Sequence, residues 1–362
     1  MANPTYAYAP DYAVPPGWVL DEHLEARGIS QAEFARRCGR SPKLISEIIA
    51  GKARLEPKTA LQFERVLGVD AIIWLGIESK YQIHRMREAE AASAKAHRAW
   101  IKQFPVKDLA KRGCFKQPHS DAEALSELLT FFAVGSIEAI AEKIARVKAA
   151  YRHSPSFKSD EAVVATWLRL GELKAERQDC AYYNKTKFRR AMRAVRSLTR
   201  EPIGVALERA QTITNAVGVA LAIVKPLPRV ALSGAAWWPS PQKAVIQLSA
   251  RYMSDDHLWF SFFHEAAHIL LHSKRCIFIE GEDNDQDDLE KEANAWASNR
   301  LIAQRDWELF AATCPHSASA VNEFADQQGI APGIIVGRLQ HAGFLPYSQL
   351  NYLKVRYKWQ DD

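Results

Sequence analysis

Cysteine is scarce in this sequence: five residues in 362 (Cys38, Cys114, Cys180, Cys276 and Cys314), odd in number, scattered, and nowhere spaced as C-x-x-C. That pattern excludes a disulfide framework and a thiolate zinc site, and it suits the reduced thiols of a cytoplasmic protein. Long apolar runs are also missing, since no stretch approaches about 18 uncharged apolar residues. The start, MANPTYAYAPDYAVPPG, has neither the basic nor the apolar segment of an export signal. A soluble chain with no membrane partner is expected. Gly and Pro are sparse at 17 each, against 48% hydrophobic and 25% charged residues, which excludes fibrous and disordered classes in favour of a folded globular one. Neither sign of charge dominates: 48 Lys and Arg face 42 Asp and Glu, so the net +6 permits a nucleic-acid partner without requiring one.

The length calls for two or three domains, each with its own core. Turn signals and composition place a flexible tail at 1–14, a set of short helices at 15–85 and a helical connector at 86–183. A body at 184–362 follows, in which the apolar segments VGVALAIVKPLPRVALSGAAWW and KAVIQLS bring in a small sheet before a helix from about Ser254. The expected class is mainly α with a small β-sheet, α+β. Charge is segregated along the chain: residues 80–200 hold 25 Lys and Arg against 13 Asp and Glu, a surplus of 12, which leaves −6 for the rest.

Near the N-terminus, Ser30 precedes Gln31-Ala-Glu-Phe with Glu33 three residues on, and Ser41 precedes Pro42, so two helices are capped with Gly39 in the turn between them. Phe34, Ala35, Leu44, Ile45 and Ile48 can pack together, which leaves the second helix free to face a major groove. Its outward residues Ser41, Lys43, Ser46 and Glu47 are then placed for base edges, with Gln31, Arg40 and Lys52 placed for phosphates. A helical protein-binding module of the same fold is the alternative.

The strongest chemical signal is His264-Glu265-Ala266-Ala267-His268, inside the apolar run DDHLWFSFFHEAAHILLH. Four residues apart on a helix, the two imidazoles project from one face and can hold one zinc ion, while Glu265 is placed as general base toward the attacking water. A third ligand is expected from the helix DLEKEANAWASNRLI. Glu292 is favoured because it borders an apolar stripe of Leu289, Ala293, Trp296 and Ala297, with Glu290 and His272 as rivals.

Two resemblances arise from these segments. PPG at 15–17, SQAEFA at 30–35, ISEIIAGK at 45–52 and TALQFERVLG followed by WLGIESKY resemble the lambda-repressor-like class, and within it the HigA-type antitoxins, which implies operator DNA binding as a homodimer. The body, with YNKTKFRRAMRAVRSLT, GVALAIVKPLP, LSGAAWW, the HEAAH run, E-x-E-A-N-A-W-A and GIAPGIIVGRLQHAGFLPYSQLNYLK, resembles the ImmA/IrrE-type zinc metallopeptidases. That resemblance implies zinc held by His264, His268 and a glutamate mapping onto Glu292, catalysis by Glu265, and cleavage or binding of a protein partner, a toxin or regulator. The sequence departs from it at Ala267, where glycine is frequent, and at Asn294, where aspartate is frequent.

The joint expectation is an antitoxin or transcriptional regulator of a toxin–antitoxin-like operon whose peptidase domain senses or cuts a partner. Two rivals stand beside it: a non-catalytic antitoxin that uses the fold only to grip a toxin, and a stress-responsive regulatory protease. Two further features are weaker. Lys185 to Arg200 carries seven Lys and Arg and no acid, suiting either a phosphate-tracking stripe or a solvated helix, and the acidic run at 280–290 is expected as an exposed loop.

Overall fold

A computed structural model describes residues 12–151, 160–274, 278–281, 288–313 and 317–359. Most of the expected tail, the centre of the acidic run, Cys276 and Cys314 lie outside those residues. Cys38, Cys114 and Cys180 are free thiols. Among the described residues no single helix is long and apolar enough to cross a membrane. The chain divides into two compact units, one of residues 1–98 with 120–123 and one of the remainder.

The first unit contains α1 (Pro16–Arg27), α2 (Gln31–Cys38), α3 (Pro42–Ile49), α4 (Pro57–Leu67) and α5 (Ala71–Ala96). The caps form as the sequence predicts: the Ser30 and Ser41 hydroxyls accept from the backbone N–H groups of Glu33 and Leu44, each at 3.2 Å, and Gly39 ends α2 at φ 62°. Phe34, Ala35, Ile45 and Ile48 are buried with Leu20, Phe63 and Trp74, and Leu44 packs at the edge of that core. Phe63 meets Phe34 and Trp74 at centroid distances of 4.9 and 5.6 Å.

Beyond α5 the chain forms α6 (Arg98–Ile101), α7 (Val106–Lys111), α8 (Asp121–Phe132), α9 (Ile137–Tyr151), α10 (Glu161–Glu176), α11 (Lys185–Ser197) and α12 (Ile203–Asn215), all but the first residues of α6 and α8 in the second unit. After them come β1 (Val219–Ile223), β2 (Leu232–Ser240), β3 (Lys243–Leu248), α13 (Asp255–Leu271), β4 (Phe278–Gly281), α14 (Asp288–Leu301), α15 (Gln304–Ala312), α16 (Ala318–Gln328) and α17 (Pro332–His341). The strand order is β1-β3-β2-β4, with β1 parallel to β3 and the other two pairings antiparallel. The architecture is α+β, as the composition and patterning suggest. The two apolar segments supply β1, β2 and β3, and β4 is an edge strand that patterning does not mark.

The sheet explains where the middle of the chain goes. In β1 the first four residues are all buried, and in β3 the last five are, so these strands need cover on both faces. On one face Val219, Leu221, Ala236, Ala244 and Ile246 join the main core with α13. On the other, Ala220 and Val245 meet Ala175 of α10. Hydrogen bonds fix that helix: Trp167 Nε1 donates to the Val224 carbonyl at 3.1 Å, Gln247 Nε2 to the Trp167 carbonyl at 2.8 Å, and Lys243 to the carbonyls of Ala175 and Gln178. Thus α10, expected within a connector at 86–183, is a layer of the sheet's own unit.

The organising helix is α13. It is buried on all sides from Leu258 to Leu270 except at Phe260, packed between the sheet and the helices α14 and α17. The C-terminal segment ties down its start, where Asp255 Oδ1 accepts from the Val355 and Asp256 backbones at 3.0 Å and Asp256 pairs with Lys354 at 2.6 Å. Burial, then the neighbouring Asp256, pushes the Asp255 carboxyl up to about 6. The hydrogen bonds from Lys354 and Ser254 outweigh burial at Asp256 and hold it below the usual range.

Gly171 brings α10 close to the sheet: a Cβ there would clash with the buried Gln247 side chain. Gly171→Ala should therefore cost about 1–3 kcal/mol of stability through overpacking. In a Gln247→Ala background the same change should cost much less; urea unfolding of the double-mutant cycle measures the coupling.

Candidate metal centre and nucleic-acid interface

On α13, His264 and His268 lie one turn apart and point at α14. Their Nε2 atoms are 2.9 Å from each other, and Glu290 brings Oε2 to 3.1 Å from His264 Nε2 and Oε1 to 3.5 Å from His268 Nε2. All three residues are buried, and their donor atoms form a group able to hold a metal ion. Separations near 3 Å suit ligands at about 2.0–2.2 Å from a common tetrahedral ion, whose ligand–ligand edges are about 3.3 Å. Two nitrogens and a carboxylate oxygen, all desolvated and facing one point, fit a divalent cation.

Electrostatics prepares the same donors. Burial depresses the His268 imidazole to about 4, so it is neutral at pH 7 with a lone pair to offer. Burial alone would raise Glu290; the imidazole edges of His264 and His268 that face it outweigh burial and bring the carboxyl down to about 2. The far sides of the rings are also held. His264 Nδ1 donates to Asn294 Oδ1 at 2.8 Å, His268 Nδ1 is 2.8 Å from His272 Nδ1, and His268 stacks on Phe278 at 4.3 Å. Asn294, at the position where the resemblance has aspartate, keeps the acceptor and loses the charge.

The third member of the group is Glu290, and Glu292 is not brought to it. The buried stripe of α14 is Glu290, Ala293, Ala297 and Leu301, whereas Leu289 is 41% exposed, so the helix is turned away from the phase that Leu289 suggests. Glu292 falls on another flank with its side chain 57% exposed, and its Oε2 lies 3.2 Å from His272 Nε2. Both rivals to Glu290 thus stand behind His268, as supports. The available sequence signal was the spacing of Glu290 and Asn294 at i and i+4, which puts a ligand and a ligand's partner on one face. Glu265 is fully buried beside Gly234 of β2, where a Cβ would come within 2.5 Å of its Oε1.

In the first unit, Gln31, Ser41, Lys43, Ser46 and Lys52 are exposed and Glu47 is half-buried. Lys43 and Glu47 are 3.9 Å apart on the outer face of α3. Arg40, expected at a phosphate, is half-buried, and its Nε donates to Gln62 Oε1 at 2.6 Å. That bond ties the inter-helix turn to α4.

The comparisons agree with this division. Residues 20–74 match the helix-turn-helix family, and residues 221–325 match the M78 peptidase family, described as the IrrE N-terminal-like domain, which is typically metal-dependent. The two folds together define a DNA-binding regulator fused to a peptidase-like domain. The chain belongs to the helix-turn-helix transcriptional regulators: it is 31% identical over 68 residues to the uncharacterized HTH-type transcriptional regulator YddM of Escherichia coli (strain K12), covering 19% of this chain and 72% of that protein. It is also 33% identical over 82 residues to the virulence-associated protein I of Dichelobacter nodosus, covering 22% of this chain and 75% of that one.

Glu290→Gln should abolish stoichiometric metal binding, Glu292→Gln should retain it, and Asn294→Ala should weaken it about 10–100-fold through the unsupported His264 ring. Metal content by elemental analysis after gel filtration separates the three; retention by Glu290→Gln with loss in Glu292→Gln would reverse the ligand assignment.

Proposed function

We propose that the protein is a cytoplasmic transcriptional regulator of a toxin–antitoxin-like operon. In this reading it binds operator DNA as a homodimer through α3 and uses a zinc-dependent peptidase centre to cleave a protein partner, the toxin or a regulator. The observation that carries the catalytic part is the convergence of His264, His268 and Glu290 in a buried group with Glu265 on the same helix. Two His nitrogens and one Glu oxygen are the protein donor set of catalytic zinc sites such as the HEXXH peptidases.

Zinc held by His264, His268 and Glu290 would supply Lewis-acid polarisation of the peptide carbonyl. The chain's own residues do the rest. A Glu265 carboxylate oxygen takes a proton from the attacking water and returns it to the departing amide nitrogen. Gly234 leaves the room that this carboxylate occupies, and a side chain there would displace it. Asn294 accepts the Nδ1 proton of His264, which keeps the Nε2 lone pair directed at the donor group, and His272, steadied by Glu292, orients His268. Phe278 closes the face of the His268 ring to water.

Support for the DNA part comes from the exposed Ser41, Lys43 and Ser46 at the N-terminal end of α3. Support for a homodimer comes from apolar side chains left outside the first unit's core, Trp18 at 65%, Ile72 at 77% and Ile73 at 55% exposed.

Glu265→Gln should keep the metal yet abolish cleavage of the neighbouring gene's product; cleavage at the wild-type rate would remove the mechanism. Lys43→Ala with Ser46→Ala should weaken binding to the protein's own upstream DNA by about 10-fold or more, seen as a mobility shift lost at lower salt, since base contacts are worth about 1–3 kcal/mol each. An unchanged shift would take the recognition role away from α3.

A further inference from the structure

Helix α11 carries Lys185, Lys187, Arg189, Arg190, Arg193 and Arg196, and no acidic residue occurs from Lys185 to Arg200. Its apolar side is spent on the core, where Phe188, Met192 and Val195 are buried. The cations have different fates. Arg196 is structural, donating to the carbonyls of Leu301 and Gln328 at 2.8 Å, and Arg200 pairs with Asp326 at 2.7 Å. Lys185, Lys187, Arg189, Arg190 and Arg193 are exposed, and no ion pair or side-chain hydrogen bond joins them to another of the described residues.

Their spacing concentrates the charge. Lys185, Arg189 and Arg193 follow one another at i, i+4 and i+8 on one flank, an arrangement in which like charges repel and the isolated helix is weakened. On α14, Arg300 adds to the same field: its Nε and Nη2 are buried with no hydrogen-bond partner. Its pKa is lowered by burial and then by the charges of Arg193 and Arg196. A folded surface that gathers uncompensated cations in this way is stabilised by a polyanion.

We propose that the exposed basic face of α11, with Arg300 behind it, binds the phosphodiester backbone of duplex DNA without regard to base sequence. Three observations select this occupant. The helix-turn-helix unit brings DNA to the molecule but is almost neutral, with nine Lys and Arg against eight Asp and Glu from Pro15 to Ala71, so the chain's density of surplus positive charge lies outside it. Successive cations on the flank rise about 6 Å along the axis, close to two nucleotides at about 3.4 Å each. The apolar side of α11 is committed to the core, which leaves nothing to insert into a lipid surface.

The test uses the full chain and a fluorescent 30-base-pair duplex of random sequence, titrated by anisotropy across a range of salt concentrations. A variant with Lys185, Arg189, Arg190 and Arg193 all changed to Gln should lose affinity about 100-fold near 0.1 M salt. Its slope of log affinity against log salt should be shallower by about 3.6, as four lost phosphate contacts imply. Because these side chains are exposed and their mutual repulsion is removed, the variant should melt at or slightly above the wild-type temperature and hold the same metal content. A second variant, Arg189→Lys with Arg190→Lys and Arg193→Lys, should keep the wild-type slope, since counterion release counts charge rather than shape. Lys43→Ala with Ser46→Ala should leave most of the random-duplex affinity in place, so failure of the α3 assignment and failure of this proposal give different results. An unchanged slope in the four-Gln variant would overturn the proposal, as would binding of poly-glutamate as tight as that of the duplex at equal charge, which would make an acidic protein the occupant.

Discussion

Everything in the second unit depends on keeping α13 dry while it carries ionisable groups. Leu258, Trp259, Phe262, Phe263, Ile269 and Leu270 drive the helix into the interior, and His264, Glu265 and His268 are carried in with them. Desolvated imidazoles and carboxylates are costly unless they meet partners. The sheet, α14 and α17 therefore do two things at once: they exclude water, and they supply Glu290, Asn294 and the space at Gly234 that make the buried polar groups tolerable. The clamp of Asp255 and Asp256 to residues 354 and 355 fixes the start of the same helix, so its two ends answer to different parts of the chain.

The local chemistry was legible and the long-range phase was not. Ser30, Gly39 and Ser41 write their own turn, because caps act over three residues and need no tertiary partner. His264, Glu265 and His268 are equally local, since one helix fixes their geometry. Glu290 required knowing which side of α14 faces inward, because the stripe of Leu289, Ala293, Trp296 and Ala297 has a glutamate on each edge, Glu290 on one and Glu292 on the other. The protein uses the small residues, which let α14 approach α13 closely, and leaves Leu289 outside. The role of α10 was hidden for a related reason: nothing in a buried amphipathic helix states what it covers, although the unbroken apolar run of β1 already required a second layer.

The two units also divide the electrostatic work unevenly. The first has the specific geometry, in caps, turn and outward α3, on a nearly neutral background; the second has the surplus charge, on a helix whose shape carries no sequence information. Specific recognition depends on placement and nonspecific attraction on density of charge, so the two properties can reside on separate parts of one polypeptide.

The cover that α10 gives the sheet alters what counts as the minimal peptidase-like module. The family match starts at residue 221, inside β1, yet the layer that seals Ala220 and Val245 comes from residues 161–176, far upstream. A fragment cut at the family boundary would begin inside a strand and would present a bare apolar sheet to solvent, inviting self-association instead of folding. For any transplantation of this centre into another protein, the portable piece therefore starts before Asp160, and α10 travels with the second of the two named families as part of its structure.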